Sequence, residues 1–175
     1  MKDTTQEIGG EAINAAWLEV SKIPAPRIPM EMERAARAQP DLLAFILGST
    51  EGMSAGVSEL AGFIYVVIWR VFRAETRSGT PPVTSAAIQK KLEENEGRLG
   101  ELDGVDPQSL DLTALRRLSA QPMVLRHVID SIAEAEEDEA EPLQWSPEEK
   151  GSVILLLKTA IDVLDESREQ ARETR

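Results

Sequence analysis

The stretch GFIYVVIWRVF, residues 62–72, is apolar at every position except Gly62 and Arg70, and GSVILLLKTAIDVL, residues 151–164, approaches the same density around the charges of Lys158 and Asp162. A helix that is apolar nearly all round has no face to give to water, so it belongs in the middle of its protein. Both stretches fall short of the ~20 apolar residues that a bilayer crossing requires, and both carry ionisable side chains, so they read as core helices and no membrane insertion is expected. Two such rods lying side by side define an all-α bundle.

Working outward from the first rod, Ser54 or Ser58 can cap it, and it should run to about Thr76. The small-residue turn GSTEGMSAG precedes it. Before that turn, Pro40 sits in the first turn of a helix whose Asp41 meets the positive end of the dipole and whose Leu42, Leu43, Ile46 and Leu47 form a buried face. Further upstream, PAPRIP separates MEMERAARA, opened by Pro29, from a first helix with Ile13, Trp17 and Val20 on one stripe.

On the other side, SGTPP is a break, and Thr84 caps an amphipathic helix with Ile88, Leu92, Leu99 and Leu102 inward. Asp106-Pro107 reads as the cap and first turn of a helix carrying Leu110, Ala114, Leu115 and Leu118. Pro122 opens another, with Val124, Leu125, Val128, Ile129 and Ile132 on one face, and the acidic run EAEEDEAEP ends it in solvent. Ser146, Pro147 and Glu149 form a capping box at the start of the second rod. The expectation is a single domain over 1–175 with about seven to eight helices and a few frayed residues at each end.

AQPDLLAFIL at 38–47 and AQPMVLRHVI at 120–129 open two of these helices in the same way. Aligning them sets Leu43 on Leu125, Leu47 on Ile129 and Phe45 on His127, and after a longer second loop Gly62 falls on Gly151. Helical units that cannot cover their own apolar faces gain by stacking. Two pseudo-symmetric repeats, 29–77 and 110–168, packed through the two long helices, are therefore expected.

Composition bounds the chemistry. The 175 residues include no cysteine, which removes disulfides, thiol catalysis and Cys-ligated metals. His127 is the single histidine, so His-rich zinc sites and paired Glu-x-x-His ligands are absent, and its place between Val124 and Val128 reads as core edge. No G-x-S-x-G elbow or P-loop occurs. A formal charge of −12 repels phosphate backbones, so nucleic acid is not expected as a partner. MKDTTQEIGGEA lacks the basic and apolar regions of a secretion signal, which favours a cytoplasmic location.

No catalytic and no cofactor-binding residue emerges. What remains is carboxylates able to hold Mg²⁺: Glu134, Glu137 and Asp138 at helical spacing, with Asp162, Asp165, Glu166 and Glu169 on the last helix. The full Glu-Glu-x-x-Glu and Glu-x-x-Asp set of all-α nucleotide pyrophosphohydrolases is missing. Arg70, Arg73 and Arg77 form a cationic stripe, and the repeat alignment sets Arg73 on Asp162 and Arg77 on Glu166, so the two sets could meet across the seam or a subunit interface.

The leading functional expectation is a non-enzymatic protein-interaction or scaffold module, engaging a protein partner or itself. The alternative is a Mg²⁺-dependent enzyme acting on a phosphorylated small molecule. A third reading places Trp17, Met53, Phe63, Tyr65 and Trp69 around an apolar ligand.

Overall fold

Prolines and capping side chains decide where each helix of this protein begins. The computed structural model describes residues 6–76, 79–100 and 104–174. Among them are eight α-helices and no strand: α1 (Gly10–Ser21), α2 (Ile28–Ala38), α3 (Pro40–Ser49), α4 (Ala55–Ala74), α5 (Ser85–Gly100), α6 (Leu112–Leu118), α7 (Pro122–Glu137) and α8 (Pro147–Glu173). Ser54 caps α4 by accepting from the Val57 N–H, and Ser146 and Glu149 complete the capping box on α8. Thr84 accepts from the Ala87 N–H ahead of α5.

Two expectations need correction. Asp106 caps only a 3₁₀ turn, Pro107–Ser109. Leu110 then turns extended, its carbonyl accepts from the Arg126 guanidinium, and Asp111 caps a fresh start for α6. The α4 helix has the expected extent, from its Ser54 cap to Ala74, so its whole length and not its dense stretch alone is what compares with a bilayer. At 20 residues it is long and apolar enough to cross a membrane by length and composition, and 61% of its most apolar window is buried inside the protein.

The rods α4 and α8 pack on each other, and the other helices cover them. Ile64, Val67, Ile68 and Phe72 of α4 and Val153, Leu157, Ala160, Ile161 and Leu164 of α8 are sealed from solvent within one apolar cluster. At roughly 25 cal/mol per Å² of apolar surface removed from water, this burial is the main stabilising term. The two halves of the chain use matching helix pairs: α1 lies on α4 as α5 lies on α8, α2 on α3 as α6 on α7, and α3 on α4 as α7 on α8. Across the halves, α1 touches α7 as α5 touches α3.

Two buried glutamines tie these cross-contacts. Gln39, just before α3, accepts from the Val83 N–H (2.9 Å) and donates to the carbonyls of Thr80 (3.1 Å) and Pro81 (3.0 Å). Gln121, just before α7, accepts from the Ile8 N–H (2.7 Å) and donates to the Gln6 carbonyl (3.1 Å) and to Asp165 (2.9 Å). Each carboxamide thus stands in for a neighbouring strand, satisfying the N–H of one residue and the carbonyl two positions earlier. The segment held in each case leads into the first helix of the other half.

Candidate functional site

The carboxylates singled out as metal ligands are spread through the fold. Glu134 and Glu137 point to solvent, and Asp138 is exposed just past α7, accepting from the N–H groups of Ala140 (2.8 Å) and Glu141 (2.9 Å). Those two bonds hold its carboxyl below the usual value. On α8, Asp162 accepts from Lys158, Asn95 and Ser119, Asp165 from Gln121 and Arg168, and Glu166 pairs with Lys91 at 2.5 Å. Among the described residues, no three His, Asp or Glu side chains come together as a metal site would require.

Asp162 and Asp165 are instead partners of buried cations. Lys158 is fully buried, with its ammonium 2.7 Å from Asn95 Oδ1 and 2.5 Å from Asp162 Oδ2. Burial pushes its pKa down, and the neighbouring charges of Arg98 and Lys91 add to this against the pull of Asp162. Arg168, equally buried, reaches Asp165 (2.6 Å) and the Gln6 carbonyl (2.9 Å) and lies over the Phe72 ring at 5.7 Å. Burial raises the Asp165 pKa despite Arg168 and Gln121. Leaving either cation without its partner would strand a charge in the interior, so this network reads as structural.

The arginine stripe divides. Arg70 pairs with Glu31 and Glu19, and Arg73 lies 5.3 Å from the Trp69 ring centroid. Arg77 falls outside the described residues. Within the chain Arg73 does not meet Asp162: Asp162 and Glu166 take Lys158 and Lys91 from their own half, and Arg73 forms no ion pair among the described residues. His127 stacks edge-on to Trp17 (4.9 Å), with Ser131 Oγ 3.4 Å from its Nε2, and burial lowers its pKa. The proposed aromatic pocket is mostly core: Tyr65 and Trp69 are buried, Trp17 packs on Phe63 at 5.3 Å, and Phe63 alone of the set lines a large cavity.

That cavity is a trough of about 900 Å³. On α4 it is lined by Gly56, Glu59, Leu60, Phe63 and Val66, of which Leu60 and Phe63 are half-buried, Glu59 is exposed and Val66 is buried. Ile28 and Met32 of α2 and Leu47 of α3 form one wall; Ala135 of α7 and Leu143 of the following segment form the other. Gly62 lets the first wall approach, since a Cβ there would stand 3.3 Å from Met32 Cε. Leu143 is seated even more closely on Gly56, where a Cβ would fall 2.7 Å from its Cδ1.

The charged side chains lining the trough are Glu31, Glu59, Asp138 and Glu141. Burial works against ionisation of Glu31, but Arg70 and Arg34 outweigh it and hold its pKa low. A smaller cavity of about 500 Å³ occurs in the second half, bounded by Pro107, Leu110, Ile129 and Gly151. The sequence repeat was the available signal for the trough, because it marked Leu47 as a core-type position; the structure leaves Leu47 43% exposed. The return of the acidic segment onto Gly56 had no signal, because it depends on a single leucine.

Fold and site together define an all-helical protein with an apolar trough and an internal, structurally engaged charge network. No protein-family model, curated protein or solved structure matches the chain.

Proposed function

We propose that this protein is a non-enzymatic interaction module that receives one helix of a partner protein in the trough above α4. The observation that carries the reading is the apolar lining of the trough, where half-buried Leu60 and Phe63 of α4 are joined by Met32, the exposed Leu47 and Leu143, a surface on which an amphipathic helix can lay the apolar side chains of one face. Exposed apolar surface of this kind has a cost in water that a partner removes. The Mg²⁺ enzyme reading finds no support in carboxylates already engaged by Lys158, Arg168 and Lys91.

We also read α1–α4 and α5–α8 as two copies of one four-helix unit. Support comes from the matching helix pairs and from the reciprocal duties of Gln39 and Gln121, which carry the sequence correspondence beyond 29–77 and 110–168 to α1 and α5.

The docking reading is tested by titrating the isotope-labelled full chain with a neutral amphipathic helical peptide of Leu and Gln, following methyl resonances. Saturable shifts confined to Met32, Leu47, Leu60 and Leu143, abolished by Leu47→Asp, are expected. Shifts scattered over the surface, or unaffected by Leu47→Asp, would overturn it.

A further inference from the structure

We propose that the docked helix is cationic, with Lys or Arg flanking its apolar stripe; this rests on the docking reading and specifies the partner. The charge around the trough has one sign. Glu31 is neutralised by Arg70 and Arg34, whereas Glu59, Asp138 and Glu141 have no ion-pair partner among the described residues. Glu59 lies on α4 and the other two on the segment after α7.

That segment is a tied edge. Its near end is fixed by the two N–H bonds to Asp138 and by the Leu143 N–H on the Ala135 carbonyl (2.9 Å). Its far end is fixed by Trp145 Nε1 and Lys150 Nζ, both 2.7 Å from the Glu136 carboxylate. Between these anchors Leu143 rests on Gly56. The Asp138 carboxylate is held in place and Glu141 is carried on the same tied backbone, so this edge presents negative charge that rewards a cationic helix and penalises an anionic one by like-charge repulsion. The chain's own charge of −12 disfavours a second copy as the occupant and favours the approach of a basic partner.

The experiment uses the full chain and four peptides of one length: amphipathic Leu/Lys, Leu/Gln and Leu/Glu helices, and a scrambled Leu/Lys sequence with no apolar stripe. The Leu/Lys helix is expected to bind roughly tenfold or more tightly than Leu/Gln at low salt, with the gap closing as ionic strength shortens the screening length. Leu/Glu should bind weakest. The triple variant Glu59→Gln, Asp138→Asn, Glu141→Gln should remove the preference, bringing Leu/Lys affinity down to that of Leu/Gln for the same variant.

Equal binding of the three amphipathic peptides, or a preference that survives the triple variant, overturns the cationic partner and leaves the docking reading standing. Equal binding of scrambled and amphipathic Leu/Lys peptides also overturns it, since the attraction would then be diffuse. Absence of any binding sensitive to Leu47→Asp brings down both, as would concentration-dependent dimerisation through Leu47.

Discussion

At the scale of single residues, Gln39 and Gln121 bear more of the architecture than their type suggests. Both are buried, and each satisfies backbone groups of the opposite half. Gln121→Ala strands the Ile8 N–H, while the Gln6 carbonyl and Asp165 keep Arg168 as a donor; at about 1–3 kcal/mol per unsatisfied buried group the loss in urea unfolding should be about 1–3 kcal/mol. Gln121→Glu sets a carboxylate against Asp165, so its penalty should be larger at neutral than at acidic pH. The Gln-Pro pair was legible in the sequence as a helix opening; the clamp was not, because its partners lie 41 or more residues away along the chain.

His127 gives a second residue-scale prediction. Burial holds its folded pKa below the ordinary value, with Asp130 offsetting part of the effect. The unfolded ring takes up a proton near pH 6.5 and the folded ring at lower pH, so the unfolded state binds more protons as pH falls through that window. This contribution to stability is present above about pH 6.5 and is lost on acidification. His127→Gln should flatten the pH dependence of the urea midpoint between about pH 7.5 and 5.5 relative to the parent.

At the scale of elements, the sequence spoke plainly where local chemistry decides and fell silent where packing does. Ser54, Thr84, Ser146 and Glu149 marked their helices because caps act over three residues. The break at Leu110 escaped detection because it depends on Arg126 reaching its carbonyl. The carboxylates were visible as stripes, yet Lys158 and Arg168, which engage those of α8, lie on α8 itself and looked like ordinary helix charges. The acidic segment offers a test: Gly56→Ala places a methyl where Leu143 now sits. The leucine should be displaced, weakening Leu/Lys peptide binding while changing stability by no more than about 1 kcal/mol; methyl shifts of Leu143 and denaturant unfolding would measure the two effects.

At the scale of the whole molecule, the trough exists because α4 spends one side on α8 and has apolar surface left over. The core face of α4 is dry through Ile64, Val67 and Ile68, and Leu60, Phe63 and Val66 turn toward the trough. The all-α bundle and its two central rods were readable from hydrophobic density alone. Which side of a rod stays uncovered is set by the lengths and angles of six other helices, and no local pattern records it.

The account rests on α4 and α8 forming one cooperative centre, which native-state hydrogen exchange across a denaturant series measures directly. Amides of Ile64–Phe72 and Val153–Leu164 should be the slowest in the chain and share one opening free energy, with the denaturant dependence of global unfolding. Exchange of either helix through a separate, smaller opening, with its partner still protected, would contradict it.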